Sequence, residues 1–237
     1  MGKILLYFIK LNILIIILAI IGFLLPKYIN YRKSKYGIES GNSFLKATFD
    51  RGNYGEFLTF RYLEKLEVYK KLLTNIYLPK EDGTTTEVDV VMITRTGIYV
   101  FESKNYSGWI FGKENQREWT QTLPNKFKNK FYNPIWQNKG HIFALKNILG
   151  KVDSGAFKSY IVFSERCELK DVTVDSQDVK ILKRNDLVKI IEGDIKSSRV
   201  IFNIEEILEI YLNLKRYSNV DATTKKEHIN NINTYRR

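Results

Sequence analysis

The sequence of 237 residues has little cysteine, proline or glycine: one, four and fourteen residues respectively. A single cysteine excludes an intramolecular disulfide framework and a zinc site built from several cysteines. The low proline and glycine content excludes collagen-like and low-complexity chains. No GxxxxGK(S/T) loop is present, so no bound nucleotide cofactor is expected.

Positive charge, by contrast, is in excess. The chain has 38 Lys and Arg residues against 26 Asp and Glu residues, a formal net charge of +12. An excess of this size favours an acidic partner, which is a membrane surface, a nucleic acid or both. At roughly 150 residues per domain, the length predicts one domain with appendages or two small domains.

The first 26 residues are predicted to be a transmembrane anchor. Residues 4–25 are apolar except for Lys10 and Asn12. As a helix this run would be about 33 Å long, enough to cross a hydrocarbon core of about 30 Å. A cleaved signal peptide is the alternative interpretation, although no A-x-A-like cleavage site follows the run.

Residues 27–52 are predicted to be a basic juxtamembrane linker, which is polar and irregular from residue 36 to residue 52. Basic residues suit anionic lipid headgroups, and the tyrosines among them suit the membrane interface. The positive-inside rule therefore places the C-terminal domain in the cytoplasm, and we expect a single-pass protein of the cell membrane. The basic residues of this flank are Lys27, Arg32, Lys33 and Lys35.

The rest of the chain alternates helical and strand patterns, which predicts an α/β fold with a mixed sheet flanked by helices. The domain is predicted over residues 53–214, with its core at 54–149, and residues 215–237 are expected to be a polar, basic, disordered tail. Helices are predicted at residues 53–73, 133–149, 186–191 and 204–214. Strands are predicted at residues 74–78, 86–93, 98–104, 159–163 and 179–182, with one or two more within 109–123.

Two of these strands are predicted to form a hairpin around Arg95 and Thr96. A symmetric turn there places Asp89 opposite Glu102, and side-chain alternation puts Lys104 and Glu87 on the same face. Directly opposed carboxylates repel each other, and a hard divalent cation would remove the repulsion. The alternative is a solvated sheet face on which Glu87 pairs with Lys104.

Four separated segments of the sequence form a combined pattern. They are Gly55-Glu56, Thr86-Glu87-Val88-Asp89, the stretch from Gly97 to Gly108 that contains Glu102-Ser103-Lys104, and Asn133 to Gln137. Together they resemble the nuclease-related domain (NERD) family, within the PD-(D/E)xK nuclease superfamily, over roughly residues 54–149. The resemblance implies a restriction-endonuclease-like fold, a central mixed sheet flanked by helices.

The resemblance also implies a catalytic site. Asp89, Glu102 and Glu56 would hold Mg²⁺ or Mn²⁺, because carboxylate oxygens suit these ions. Lys104 would position or activate the attacking water, and Gln137 would accompany this core from the second predicted helix. The implied activity is hydrolysis of phosphodiester bonds in DNA or RNA.

A further basic segment is a candidate for nucleic-acid binding. Lys126, Lys128 and Lys130 alternate with other residues beside phenylalanine and tyrosine, a composition typical of phosphate-tracking and base-stacking grooves. A solvated loop is the alternative. His141 is expected to be structural. The tryptophans expected in the core are Trp109, Trp119 and Trp136.

The sequence therefore predicts a membrane-anchored, metal-dependent nuclease-like protein. Two alternatives stay open: a catalytically silent nucleic-acid-binding module, and a membrane-tethered interaction protein whose positive charge serves lipids only. The complete set of Glu56, Asp89, Glu102 and Lys104 favours the nuclease over the silent module, which does not need all four.

Overall fold

The computed structural model of the chain describes residues 2–218, 220 and 222–235. Within them the helices are α1 (Gly2–Lys33), α2 (Tyr36–Ser40), α3 (Phe44–Phe49), α4 (Arg51–Glu64), α5 (Pro134–Leu149), α6 (Leu187–Ser197), α7 (Ile204–Lys215) and α8 (Ala222–Tyr235). The strands are β1 (Lys70–Pro79), β2 (Thr85–Thr94), β3 (Gly97–Lys104), β4 (Gly108–Lys113), β5 (Glu118–Thr122), β6 (Lys128–Tyr132), β7 (Phe157–Phe163), β8 (Cys167–Thr173) and β9 (Val179–Lys183).

The strands form two mixed sheets. The first has the order β1-β2-β3-β7-β9 and the second the order β6-β5-β4-β8. β1, β2 and β3 are antiparallel neighbours, whereas β3, β7 and β9 run parallel. The predicted restriction-endonuclease-like architecture, a mixed sheet flanked by helices and preceded by one long apolar helix, is confirmed.

The hairpin of β2 and β3 has the predicted turn. Thr94 pairs with Gly97, which leaves Arg95 and Thr96 as the two-residue loop. Gly97 has a φ of 145°. A Cβ there would lie 2.6 Å from the carbonyl oxygen of Ala156, so glycine is required on both conformational and steric grounds.

Helices cover both faces of the first sheet. On one face α5 and α7 pack over Val91 and Val100, and on the other α4 and α6 pack over Val90 and Phe101. Because β2 and β3 are covered on both sides, their residues read as continuous apolar runs. Alternate side chains of these strands therefore face different helices. The face of the sheet on which a side chain lies determines which helix it can contact at the end of the hairpin.

The second sheet packs against the first through Trp119. This side chain is fully buried, and its ring stacks on that of Phe163 with centroids 6.2 Å apart. Trp109 and Trp136 are 49% and 37% exposed, so the expected core position is wrong for both. Trp109 is exposed because its neighbour in β4, Ile110, faces inward and side chains alternate along a strand.

One predicted helix differs from the structure, and two strands of the structure are not predicted from the sequence. The helix expected over residues 53–73 ends at Glu64, and its last residues belong to β1, where Leu73 is buried in the sheet. The apolar spacing of three and four continues into the strand, and pairing with β2 overrides it. β6 and β8 carry mostly exposed residues, so they lack the apolar alternation that predicts a strand.

The segments expected to be irregular also contain helices. The linker range 27–52 includes the end of α1, which continues through Pro26, together with α2 and α3. In the tail, α8 packs against the domain, with the rings of His228 and Tyr77 in an edge contact at 5.5 Å. The structure thus has a helix where the sequence predicts a disordered tail, and the predicted domain limits stay a prediction.

Among the described residues, α1 is the one helix long and apolar enough to cross a membrane. None of its residues is buried within the domain. A signal sequence has the same length and composition, so membrane span and signal sequence are both compatible with this helix.

Candidate active site

The acidic residues of the hairpin lie where its ladder ends. The pairing of β2 with β3 reaches Val90 opposite Phe101, one position short of Asp89 and Glu102. In place of a further backbone pair, Asp89 Oδ2 accepts a hydrogen bond of 2.8 Å from the backbone N–H of Ser103. The carboxylate of Asp89 is thereby fixed against β3.

Asn75 distorts β1 beside the same point. Its φ of 52° lies in the left-handed region, and the β1–β2 ladder skips it. Thr74 Oγ1 donates to the carbonyl oxygen of Asp89 at 2.6 Å. The Asn75 side chain donates to Glu56 Oε2 at 2.8 Å and to Glu87 Oε1 at 3.0 Å, so this distortion joins α4 to β2.

Glu102 is almost fully buried, with 1% of its surface exposed. Lys104 Nζ lies 2.6 Å from its Oε1, and His141 Nε2 lies 3.0 Å from its Oε2. Lys104 also donates to Gln137 Oε1 at 2.9 Å, and His141 Nδ1 lies 2.8 Å from Thr86 Oγ1. Because the glutamine and the histidine are one turn apart on α5, this helix orients the lysine and Glu102 together.

Glu87 does not pair with Lys104, as the alternative interpretation of the hairpin would require. It accepts hydrogen bonds from Asn75 and from the hydroxyl of Tyr77. His228 Nε2 of α8 lies 3.8 Å from Glu87 Oε2. Glu87, the only glutamate of β2, is therefore bound to β1 and lies close to the C-terminal helix.

The pKa values of two carboxyls are raised. Burial, followed by the nearby charge of Glu87, raises the pKa of Glu56 to about 8. Burial and the charges of Glu102 and Glu56 raise the pKa of Asp89 well above its ordinary value. Both shifts have the same physical cause: several negative charges share a region with little water to screen them.

Glu102 behaves in the opposite way. Although burial opposes ionisation, Lys104 and the hydrogen bond from His141 hold the pKa of Glu102 below its ordinary value. The Glu102 carboxylate in turn holds the pKa of Lys104 above its ordinary value, against the effect of burial. Lys104 and Glu102 are therefore both ionised. Within the acidic region described here, the charge of Glu102 is the one negative charge that a neighbouring positive charge strongly offsets.

The donor set fits a hard divalent cation in its chemistry. Carboxylate oxygens are the ligands that Mg²⁺ and Mn²⁺ prefer, and a cation would offset the surplus negative charge. Within the part of the chain that the structure describes, however, no three acidic, histidine or cysteine side chains are already arranged around an ion. Glu102 is held by Lys104 and His141, and Glu56 by Asn75. A bound metal ion would compete with these partners for the carboxylate oxygens.

The structure brings the predicted catalytic residues into one region, although their roles stay a prediction. The predicted nucleic-acid-binding lysines lie elsewhere, on edge strand β6 of the second sheet and in the turn before it. All three are exposed, and Lys130 pairs with Glu118 at 3.4 Å. The residues brought together are Glu56, Asp89, Glu102, Lys104 and Gln137.

Three residues of this region are not predicted from the sequence as part of it. His141 has a usable signal, since it follows Gln137 by four residues on one helix face. Asn75 has none, because its left-handed backbone is set by packing. Tyr36, whose hydroxyl lies 3.5 Å from Glu56 Oε2, belongs to the segment expected to be an irregular linker.

The region coincides with a known family. The model of the nuclease-related domain matches residues 51–164, which contain all the predicted catalytic residues. An uncharacterised protein from Bacillus anthracis is 35% identical over 182 residues, or 76% of this chain and 82% of that protein. The structure of Can2 from Sulfobacillus thermosulfidooxidans in complex with cyclic tetra-adenylate is 16% identical, with a TM-score of 0.36, over 65% of this chain and 39% of the Can2 chain. By its matched segment and its relative, the chain belongs to the nuclease-related domain family.

Proposed function

We propose that this protein is a membrane-anchored, metal-dependent nuclease that hydrolyses phosphodiester bonds in DNA or RNA. The observation that supports the proposal most is the convergence of carboxylates and one lysine at the end of the hairpin. Asp89 is bound to β3, Glu102 and Lys104 form a buried ion pair, and Glu56 approaches from α4. Purely structural packing has no need of so many mutually repelling charges.

The carboxylates would hold the ion. Asp89, Glu102 and Glu56 offer oxygen ligands of the kind that Mg²⁺ and Mn²⁺ prefer. When bound, such an ion would polarise a phosphoryl oxygen and lower the pKa of a bound water.

Lys104 has a separate role in this proposal. Its ammonium group lies 2.9 Å from Gln137 Oε1, so the glutamine holds it in place even when Glu102 turns towards a cation. A positive charge fixed in a poorly solvated site stabilises the negative charge that develops on phosphate in the transition state. Lys104 is therefore assigned to the chemical step and Gln137 to its positioning.

Nucleic acid would also contact the second sheet. Lys126 and Lys128 are exposed beside Phe127, which is 60% exposed. On the outer face of the same sheet, Lys170 Nζ lies 5.6 Å from the ring of the exposed Trp109. Cations interleaved with exposed aromatic rings suit phosphates and stacked bases.

A nuclease assay on the full chain tests the proposal. The protein is reconstituted in lipid nanodiscs and incubated with single-stranded, double-stranded, nicked and branched DNA and RNA, with Mg²⁺ or Mn²⁺. We expect cleavage that requires the ion and stops in excess EDTA. Salt-dependent binding without cleavage would favour the silent binding module, and neither binding nor cleavage would favour the membrane-tethered interaction protein.

A further inference from the structure

We propose that α3 lies in the membrane interface and inserts Leu45 and Phe49 among the lipid headgroups, so that the domain is docked on the bilayer. The inference rests on the membrane anchoring in the proposed function and is independent of cleavage. The occupant of this apolar surface is the lipid bilayer that α1 crosses.

The surface consists of two large apolar side chains. Leu45 and Phe49 are 62% and 60% exposed, and they are four residues apart, on one side of the helix. Ala47 and Thr48, which lie between them in the sequence, are buried against the domain. α3 therefore buries one side in the protein and leaves two large apolar side chains more than half exposed on the other, as interfacial helices do.

Contacts with α1 fix the position of this surface relative to the bilayer. The ring of Phe44, at the start of α3, lies 5.2 Å from that of Tyr28 and 5.8 Å from that of Tyr31. Tyr28 follows Leu25, the last residue of the apolar run, by about 4.5 Å along a helix axis. Tyrosines at that depth belong to the interfacial belt, so α3 begins at headgroup level.

The domain holds this turn of α1 through other contacts as well. Lys27 Nζ lies 5.7 Å from the ring of Tyr54 in α4. The hydroxyl of Tyr31 donates to the carbonyl oxygen of Asn42 at 2.6 Å, and its ring lies 6.0 Å from that of Phe57. The end of α1 is therefore packed against the folded domain over several residues, and α3 cannot swing freely away from the bilayer.

The charge around the surface matches an anionic membrane. From residue 27 to residue 51, the sequence has six Lys and Arg residues and two acidic residues. Basic residues near a membrane surface are attracted to anionic lipids, whereas the same surfaces of two protein copies would repel each other. The charge therefore favours lipid over a second copy. The basic residues are Lys27, Arg32, Lys33, Lys35, Lys46 and Arg51.

Docking of α3 on the bilayer would place the candidate active site at a fixed distance from the membrane surface. α4, which carries Glu56, begins directly after α3. Asn42 donates to the hydroxyl of Tyr36 at 3.2 Å and to Asn53 Oδ1 at 2.6 Å, and this hydroxyl lies 3.5 Å from Glu56 Oε2. A nucleic acid would therefore have to reach the site within a short distance of the bilayer.

Depth-dependent fluorescence quenching on the full chain tests the inference. Single cysteines are introduced as Leu45→Cys or Phe49→Cys, labelled with an environment-sensitive fluorophore, and reconstituted in nanodiscs containing anionic lipid. Cys167 does not compete for the label, because it is buried and burial raises its pKa to about 11. Phe127→Cys and Phe143→Cys are matched controls, since these side chains are 60% and 56% exposed. Phe127 lies in the turn before β6 and Phe143 in α5. Ile15→Cys reports insertion of α1.

We expect quenchers placed high on the lipid acyl chains to reduce the fluorescence of labels at Leu45 and Phe49, and to leave both control labels unchanged. Quenching at Ile15 without quenching at Leu45 and Phe49 would overturn the interfacial position of α3 and leave the anchor intact. Equal quenching at all four domain positions, or quenching that depends on protein concentration, would overturn it too. No quenching at Ile15 by quenchers placed deep on the acyl chains would refute the anchor and this inference together.

Discussion

His141 Nε2 lies 3.0 Å from Glu102 Oε2, and both side chains are almost fully buried. With Lys104 on the other oxygen, the Glu102 carboxylate is held between two nitrogen donors from different elements of the fold. A cation bound to Glu102 would compete with these two donors for the carboxylate oxygens. Any affinity for metal would therefore depend on these donors as well as on the carboxylates.

Replacing His141 should destabilise the fold. His141→Ala leaves one buried oxygen of Glu102 and the hydroxyl of Thr86 without their present partner, at an expected cost of about 1–3 kcal/mol. Chemical denaturation of the full chain in detergent measures the free energy of unfolding. Asn147→Ala, an exposed position on the same helix, is the control and should change this free energy little. Equal effects of the two substitutions on the free energy of unfolding would contradict a stabilising role for the contacts of His141 with Glu102 and Thr86.

Asp89→Asn should abolish cleavage while preserving the fold. An amide oxygen can still accept the Ser103 N–H, but it is a far weaker ligand for Mg²⁺ than a carboxylate. We expect the rate to fall at least about 100-fold. Without metal, nucleic-acid binding should tighten slightly, because one negative charge is lost from the site.

Cleavage rates and binding isotherms measure these two effects. Asp82→Asn is the matched control, since Asp82 lies in an exposed turn. A protein with Asp89→Asn that cleaves as fast as wild type, or wild-type cleavage in excess EDTA, would refute the metal mechanism.

Lys104→Ala and Lys128→Ala should separate chemistry from binding. Lys104 is assigned to the reacting phosphate, so its loss should abolish turnover and change affinity little. Lys128 is exposed on β6 and is assigned to a phosphate contact. Its loss should weaken binding and reduce the salt dependence by about one phosphate contact. Single-turnover rates at saturating protein give the chemical step, and titrations at several salt concentrations give the affinity. Matching effects of the two substitutions on binding, with no cleavage in any variant, would indicate a binding module.

The raised pKa of Glu56 predicts a pH-dependent stability. The folded protein keeps a proton on Glu56 up to about pH 8, whereas the unfolded chain loses it near its usual value of about 4.5. Between these limits the folded state binds more protons, so the contribution of Glu56 to stability is greatest below the lower limit and falls as pH rises.

We expect the free energy of unfolding in EDTA to fall less between about pH 5 and pH 8 for Glu56→Gln than for wild type. Taking the difference between the two proteins removes the contributions of other titrating groups. Mg²⁺ should stabilise the wild type more at the higher pH, where the carboxyls are ionised. Parallel pH profiles for the two proteins would show that Glu56 is not buried as described.

Removal of residues 1–26 should release the protein from membranes. No other described helix is long and apolar enough to span the bilayer. Some binding at low salt is expected to persist through the basic flank. Sedimentation of membranes washed at high salt measures the release, and the mass of the mature protein distinguishes an anchor from a cleaved signal peptide. Sedimentation of the truncated chain in high salt would contradict a single anchor.

Local signals in the sequence predict the β2–β3 hairpin well. A two-residue turn at Arg95 and Thr96 fixes the pairing register of β2 and β3. Asn133 with Pro134 marks the start of α5. Both are decided by a few adjacent residues. This is why the sequence could place Asp89, Glu102 and Lys104 correctly on neighbouring strands.

The remaining parts of the site depend on contacts between distant segments. The left-handed backbone at Asn75, which joins Glu56 to Glu87, results from packing and leaves no mark in the residue pattern. The sequence pattern also gives no signal for the end of α4, because the apolar spacing continues into β1. A short-range pattern predicts which residues share a face, but not which partners each carboxylate finds.

The position of β3 has a consequence for the dynamics of the site. β3 is bonded to β2 on one side and to β7 on the other, so it is an interior strand, and Glu102 and Lys104 both belong to it. Amide hydrogens in such a strand exchange with solvent only through large unfolding events. We therefore expect the backbone amides of Glu102 and Lys104 to exchange slowly. On the proposed function, a rapid opening that admits a substrate would come from elements at the sheet edge, such as β1 with Asn75, while β3 remains in place.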